Sequence, residues 1–280
     1  VLLNIGSAHL GMLGTREQVA AAKGELIAAL PARGTAVLNA DDALVRARAE
    51  STAARTVLFG RAEDADVRAT DVVLDAMARA AFMLRTAEGA APVTLAVHGE
   101  HFVANALAVA AVAGVLGMGV AQVAERLSLA SIASSWRMEI TETPDGVIVI
   151  NDTYNANPES MRAALETLAV IGAGGRTWAV LGEMLELGPD AAAEHRALGG
   201  LAAALGVAQL LCVGPGARFI AEGFTRDLDH AGLSRVVEDP DAAIAVLQAE
   251  VRSGDSVLVK ASRGVGLDRV AAAITERDNA

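Results

Sequence analysis

Apolar and polar positions in the first part of the chain alternate in a way that predicts mixed strands and helices. A strand, a helix and a second strand follow one another, and this order favours parallel pairing of the strands. Thr15 and Gln18 have the spacing of a helix capping box. The expected elements are a strand at residues 1–5, a helix at 15–30, a strand at Thr35–Leu38 and a helix at Asp41–Glu50.

The pattern then changes to short β-type runs separated by turn residues, followed by two alanine-rich helices. A small polar stretch, Ser131–Ser135, separates these helices from the rest and is the predicted domain boundary. The expected strands are Thr56–Phe59, Val67–Leu74, Ala81–Thr86 and Val93–Val97, and the expected helices are His101–Leu116 and Val120–Leu127.

The remainder begins with a hairpin around Pro144-Asp145-Gly146 and continues as regularly alternating helices and strands. This alternation predicts a Rossmann-like, doubly wound α/β domain at residues 136–280, after a first α/β domain at residues 1–135. The hairpin strands are Arg137–Thr143 and Val147–Ile150; helices follow at Pro158–Val170, Ala191–Leu205, Ala217–Asp227, Pro240–Val251 and Leu267–Thr275, and strands at Thr177–Leu181, Gln209–Val213, Arg235–Val237 and Ser256–Val259.

Composition narrows the class of protein. The net charge of −11 argues against nucleic-acid binding, because few cations are available to neutralise phosphates. No apolar run reaches the roughly 18 residues that span a bilayer, so we expect a cytoplasmic protein without a membrane span. The single cysteine, Cys212, lies in an apolar run and is expected to be a buried hydrophobic residue rather than a nucleophile.

Only two of the 23 basic residues are lysine, Lys23 and Lys260. Codon bias explains the count, and so does a requirement for a primary amine at these positions. Helical spacing puts Lys23 on one apolar stripe with Val19, Ile27 and neighbouring leucines. Such a lysine either extends its ammonium to water or is a desolvated amine of lowered pKa that reacts with carbon dioxide to form a carbamate, whose oxygens suit Mg²⁺.

Two further positions are candidates for chemistry. His9 follows the first predicted strand, where it is either a hydrogen-bonded structural residue or a metal ligand. The segment 151–160 is the densest polar cluster, and Asn157 and Pro158 suit the beginning of a helix. Helix capping does not explain why Asp152, Tyr154 and Asn155 are present in this segment. An acidic side chain at the carboxyl end of a strand is able to accept hydrogen bonds from ribose hydroxyls.

The stretch Asn151–Met161 (NDTYNANPESM) closely resembles a hallmark of the Mur ligase family. The resemblance extends over the whole chain. Phe102 stands where relatives often have asparagine, which weakens a polar role there. The other matching motifs are NIGSAHL at 4–10, AKGEL at 22–26, VLNADD at 37–42, GEHFVANA at 99–106, LGEMLELG at 181–188 and LVKASR at 258–263.

The resemblance implies a central ATP-binding domain and a Rossmann-like carboxy-terminal domain, with the chain beginning inside the former. The Walker phosphate-binding sequence is absent from the 280 residues. We therefore expect a fragment that is inactive alone. The implied reaction is amide formation through an acyl phosphate, with ATP and Mg²⁺ as cofactors, UDP-N-acetylmuramoyl-tripeptide and D-alanyl-D-alanine as substrates, and a monomeric enzyme.

The resemblance also implies roles for individual residues. His9 and carbamylated Lys23 would hold magnesium, Asn39 would contact adenine, Arg137 the phosphates and Asp152 the ribose, with Tyr154 beside the nucleotide. The expected catalytic residues are His9, Lys23 and Arg137. The residues expected near the substrates are Asn155, Asn157, Ser160, Lys260 and Ser262.

Two alternatives remain open. One is another ligase of the same superfamily, either a different Mur ligase or a folylpolyglutamate synthase. The other is a non-catalytic binding module.

Overall fold

The computed structural model describes residues 1–6, 14–226 and 231–276. The chain divides into two compact units, Val1–Ser131 and Ile132–Ala280. This division lies four residues before the predicted end of the first domain at residue 135. No helix among the described residues has the length and apolar content needed to cross a bilayer.

The first unit contains one five-stranded sheet in the order β1-β2-β3-β4-β5. The pairs β1–β2 and β2–β3 are parallel, and β3, β4 and β5 are antiparallel. The parallel and antiparallel parts therefore form one mixed sheet. The strands are β1 (Thr35–Asn39), β2 (Arg55–Gly60), β3 (Val67–Leu74), β4 (Arg79–Thr86) and β5 (Gly89–His98).

Helices cover the first sheet and bury its apolar side chains. The largest core cluster of this unit includes Phe59, Leu84 and Leu107. The predicted helix at 41–50 is a single α-turn that continues as a 3₁₀ helix, Ala47–Ser51. The α-helices are α1 (Arg16–Ala28), α2 (Ala43–Arg46), α3 (Phe102–Val115) and α4 (Val120–Ser128).

The predicted strand at residues 1–5 is wrong as an element. Only Leu2 pairs, in an isolated parallel bridge to Leu38 at the edge of β1. Ile5 is nevertheless buried, and its backbone N–H donates to the Asp42 carboxylate at 2.8 Å. The segment is thus attached to β1 by one bridge and by side chains rather than by a strand ladder.

The second unit has the predicted doubly wound arrangement, a six-stranded sheet in the order β10-β9-β8-β11-β7-β6. Only β6 is antiparallel, at one edge. Every residue of β8 and β11 is buried, as expected for central strands covered on both faces. The elements are β6 (Glu139–Glu142), β7 (Ile148–Asn151), α5 (Pro158–Ile171), β8 (Thr177–Gly182), α6 (Ala191–Ala204), β9 (Gln209–Val213), α7 (Arg218–Phe224), β10 (Leu233–Val237), α8 (Pro240–Glu250), β11 (Ser256–Lys260) and α9 (Asp268–Thr275).

Two features of this topology position the polar residues. First, β11 lies between β7 and β8, so the carboxyl ends of three parallel strands meet at one edge of the sheet. Second, glycines allow α6 and α7 to pack closely: a Cβ on Gly199 would lie 1.9 Å from the Ile220 carbonyl oxygen. Ligands commonly bind at the carboxyl edge of such a sheet.

Candidate functional site at the carboxyl edge of the second sheet

The loop between β7 and α5 carries most of the predicted binding residues. Asn157 caps α5 as predicted: its side-chain oxygen accepts from the Ser160 N–H at 2.8 Å, and the Ser160 hydroxyl accepts from the Asn157 N–H at 3.0 Å. Pro158 is at the first position of the helix. The capping interactions hold the end of the loop on a regular helix, and they use the side chains of Asn157 and Ser160, two of the five residues that were expected near the substrates.

Lys260, at the end of β11, is the central residue of this edge. Its side chain is only 2% exposed. The ammonium donates to the Asp152 carboxylate at 2.5 Å, the Asp152 carbonyl at 3.3 Å and the Asn155 carbonyl at 2.8 Å. An ammonium has three N–H groups, so every donor of Lys260 has a partner in the loop. Lys260 therefore fastens the loop to β11.

Burial lowers the pKa of Lys260, the Asp152 charge opposes this shift, and the nearby Arg137 charge adds to it. A buried ammonium is tolerated when it is paired and fully hydrogen-bonded, and both conditions hold here. The pair is nearly enclosed, with Asp152 at 13% side-chain exposure.

Asp152 also fixes the segment that carries Arg137. Its second carboxylate oxygen accepts from the Met138 N–H at 3.1 Å. Trp136 and Met138, on either side of Arg137, have left-handed backbone angles of φ 64° and φ 48°. Such angles are uncommon outside glycine and persist when surrounding contacts enforce them. The Tyr154 N–H donates to the Trp136 carbonyl at 3.0 Å, and this bond connects the segment that carries Arg137 to the loop after β7.

Two guanidinium groups and two aromatic rings lie together above this framework. The Arg137 Cζ is 3.9 Å from the centre of the Tyr154 ring. The Arg263 Cζ is 4.4 Å from the Trp136 ring centre and 5.7 Å from that of Tyr154. Sequence reasoning missed Trp136 and Arg263. The available signal was the position of both residues beside recognised motifs, together with the rarity of tryptophan, which occurs twice in the chain.

Ser262 and a histidine organise the neighbouring loop after β8. The Ser262 hydroxyl accepts from the Leu185 N–H at 2.9 Å. His195, which is 1% exposed and was also missed, accepts from the Met184 N–H at 2.9 Å and lies 2.6 Å from the Ala191 carbonyl through its other ring nitrogen. The described contacts of Ser262 and His195 are therefore with the polypeptide itself, and they fix the loop at the edge of the site.

Lys23 does not lie on the buried face of α1, and the predicted apolar stripe is wrong. The buried residues of α1 are Val19, Ala20, Gly24 and Ile27, whereas Leu26 is 60% exposed and Lys23 is exposed. The Lys23 ammonium donates to the Asn4 carbonyl at 3.2 Å. Of the two alternatives for Lys23, its exposed position fits a side chain that extends to water rather than a desolvated amine.

Asn39 is 8% exposed, and its side chain contacts the same amino-terminal segment. Its amide nitrogen donates to the Leu3 carbonyl at 2.8 Å, and its oxygen accepts from the Asp41 N–H at 2.9 Å. His9 lies outside the described residues, so its predicted position beside Lys23 is not described.

The described residues show no cluster of the side chains that usually bind metal ions. They contain no group of three His, Cys, Asp or Glu side chains placed to bind a metal ion. The unmodified side chain of Lys23 offers a nitrogen atom, whereas magnesium prefers oxygen ligands. Cys212 is buried as predicted, and burial raises the pKa of its thiol to about 12, so it is not a nucleophile at neutral pH.

Comparison with known proteins accounts for both units. The chain matches the Mur ligase middle domain at residues 1–113 and the Mur ligase glutamate ligase domain at residues 136–263. It is 48% identical, over 99% of its length and 58% of the relative's, to a UDP-N-acetylmuramoyl-tripeptide–D-alanyl-D-alanine ligase of Mycobacterium tuberculosis. A ligase of the same name from Bacillus subtilis is 30% identical over 96% of the chain and 57% of the relative.

Solved structures agree with the sequence relatives. A crystal structure of MurF from Acinetobacter baumannii superposes with a TM-score of 0.86 at 31% identity, over 98% of this chain and 59% of that one. MurF ligase from Thermotoga maritima, solved in complex with ADP, gives a TM-score of 0.82 at 26% identity, over 98% and 61%. The chain thus spans somewhat less than two thirds of the relatives that it matches, and by both of its units it belongs to the Mur ligase family.

Proposed function

We propose that this chain is part of an ATP-dependent ligase that joins D-alanyl-D-alanine to UDP-N-acetylmuramoyl-tripeptide. The names of the relatives that are 48% identical to it support this substrate pair. The activity would belong to the complete protein, because the chain spans 58% of those relatives. We also propose a cytoplasmic, monomeric enzyme.

One structural observation carries the proposal: Arg137, Asp152 and Tyr154 lie together at the carboxyl edge of the second sheet. Arg137 is exposed and would neutralise phosphate oxygens of ATP. Asp152 accepts two hydrogen bonds from the protein, one at each oxygen, and a carboxylate has about four acceptor positions. It therefore retains the capacity to accept ribose hydroxyls.

The proposed reaction proceeds in two steps. The carboxylate of the tripeptide attacks the γ-phosphorus of ATP, which forms an acyl phosphate and releases ADP. The amine of D-alanyl-D-alanine then attacks the acyl carbon, loses a proton and expels inorganic phosphate. Arg137 would offset negative charge on the transferred phosphoryl group, and preorganised cations are effective in this role.

The remaining assignments stay proposals. In the first unit, Asn39 would contact adenine, and His9 with a carbamate on Lys23 would bind Mg²⁺, whose charge would stabilise the phosphoryl group. In the second unit, Asn155 would contact the acceptor substrate. Asn157, Ser160, Lys260 and Ser262 make their described hydrogen bonds within the protein. We therefore assign the first three to holding the loop between β7 and α5, and Ser262 to holding the loop after β8.

Release of ADP by the complete protein tests the proposal. We expect continued ADP release, beyond one equivalent per enzyme, only when UDP-N-acetylmuramoyl-tripeptide and D-alanyl-D-alanine are both present. We expect Asp152→Asn to raise the KM for ATP. Turnover with D-glutamate or diaminopimelate in place of D-alanyl-D-alanine would instead identify another Mur ligase. A polyglutamylated folate product would identify a folylpolyglutamate synthase, and the absence of any product would favour a binding module.

A further inference from the structure

Arg263 is placed at the candidate site by contacts that its sequence position does not reveal. It follows β11, while Trp136 precedes β6 and Tyr154 follows β7. The guanidinium of Arg263 lies over the Trp136 ring at 4.4 Å and within 5.7 Å of the Tyr154 ring centre. Because Tyr154 also contacts Arg137 at 3.9 Å, the two arginines share one aromatic neighbour.

The two guanidinium groups are not neutralised within the described part of the chain. There we find no carboxylate within ion-pair distance of either group, and neither donates a hydrogen bond to another described residue. Both residues are exposed. The two Cζ atoms lie 3.9 Å and 4.4 Å from the centres of aromatic rings, and such contacts leave the positive charge without a carboxylate partner. Two such cations in a chain of net charge −11 form a local site for an anion.

Trp136 is itself held in place. Its left-handed backbone, at φ 64°, is fixed by an N–H donated to the Glu139 carboxylate at 3.2 Å and by a carbonyl that accepts from the Tyr154 N–H at 3.0 Å. A ring on a fixed backbone restricts the rotamers of the arginine that lies over it, which reduces the entropy lost when that arginine binds a ligand.

We propose that Arg263 binds an oxyanion of a substrate and that Trp136 positions its guanidinium. This inference rests on the proposed function and adds a second cationic residue to its site. The planar fork of Arg263 suits two oxygens of one group, which are those of a nucleotide phosphate or of the terminal carboxylate of the acceptor dipeptide.

Tryptophan emission from the 280-residue chain provides the test, because Trp178 is buried and Trp136 is half-buried. Titration with inorganic pyrophosphate probes the phosphate, and titration with D-alanyl-D-alanine probes the carboxylate. We expect one of them to change the emission, and we expect Trp136→Phe to abolish that change. Arg263→Gln should weaken the binding of that probe by about tenfold, the loss of a charge-assisted contact.

Arg269→Gln is the matched control, because Arg269 is an exposed arginine six positions further along that pairs with Asp241 at 3.1 Å. It should leave the affinity unchanged. Arg263→Lys keeps the charge and loses the planar fork, so it should recover only part of the affinity. Unchanged binding of both probes to Arg263→Gln, no binding of either probe to the unmodified chain, or an equal effect of Arg269→Gln would each overturn the proposal.

Failure of this inference is distinguishable from failure of the proposed function. If Asp152→Asn weakens ADP binding to the complete protein while Arg263→Gln leaves the affinity for both probes unchanged, the nucleotide site is supported and the role proposed for Arg263 is wrong. If Asp152→Asn leaves ADP binding unchanged, the nucleotide assignment itself is wrong.

Discussion

The only two lysines of the chain lie in regions with opposite environments. Lys23 is exposed on α1 and makes one described hydrogen bond, to the Asn4 carbonyl. Lys260 is buried at the end of β11, and its ammonium makes three hydrogen bonds to the loop that begins at Asp152. The first region is open to solvent, whereas the second is a closed network that holds Arg137 and Tyr154 at one edge. Burial and the number of partners therefore separate a surface lysine from a structural one.

The largest difference is expected when each lysine is replaced by methionine. Lys260→Met leaves the carboxylate of Asp152 without its counter-ion, which costs about 3 kcal/mol of the free energy of unfolding of the second unit. Lys23→Met removes an exposed contact and should cost less than about 0.5 kcal/mol. Thiol labelling of Cys212 in urea measures the second unit alone, because the single cysteine lies there and is buried. Equal stability of the two variants would contradict the comparison.

A double-mutant cycle tests whether the stability lost in Lys260→Met comes from the ion pair with Asp152. Lys260→Met and Asp152→Asn should show a coupling energy of about 2 kcal/mol, as residues in direct contact do. Lys260→Met combined with Asp255→Asn is the matched cycle, because Asp255 is a buried carboxylate of the same unit that pairs with Arg176 at 2.6 Å. That coupling should be near zero. Coupling of similar size in both cycles would indicate a general loss of folding instead.

In the first unit, the strongest polar anchor is expected to be Asn39 rather than Lys23. Asn39→Ala leaves the Leu3 carbonyl and the Asp41 N–H without their partners and should cost about 1.5 kcal/mol. Hydrogen exchange of the β1 amides measures this loss, because Val1–Ser131 contains no Trp, Tyr or Cys to serve as a probe. Thr52→Ala, whose hydroxyl accepts from the nearby Ala54 N–H at 3.2 Å, is a milder control.

The smallest expected effect is a change with pH in the contribution of Lys260 to the free energy of unfolding. Burial lowers the pKa of Lys260 in the folded chain, whereas the ordinary pKa of lysine is about 10.4. At pH values between these two, the unfolded chain binds more protons than the folded chain. Linkage then makes the contribution of Lys260 to the free energy of unfolding rise with pH in this window. The stability difference between the unmodified chain and Lys260→Met should widen from pH 8 to pH 10. A narrowing difference would mean that Asp152 raises the pKa instead.

Local signals in the sequence predicted most of the elements, because periodicity, caps and turn residues act over a few positions. The capping box at Thr15, the helix cap at Asn157 and the strand Gln209–Val213 are examples. Periodicity failed at Lys23, since the buried face of a short alanine-rich helix is decided by what packs against it. It also failed at residues 1–5, where an apolar run makes one bridge instead of a ladder.

The network of the candidate site depends on strand order, which local patterns do not encode. Asp152 and Lys260 are 108 residues apart along the chain and meet because β11 lies between β7 and β8. Trp136 and Arg263 come together for the same reason. Family resemblance identified Arg137, Asp152 and Tyr154 as one group, but it did not reveal that Lys260 fastens them.

Hydrogen exchange at two backbone amides tests the central claim, that Lys260 holds the loop and thereby the Arg137 segment. The Met138 N–H donates to Asp152, and the Tyr154 N–H donates to Trp136. We predict slow exchange at both in the unmodified chain and in Lys23→Met, and exchange at least about tenfold faster in Lys260→Met under native conditions. Rapid exchange in the unmodified chain, or equal protection in Lys260→Met, would contradict the account.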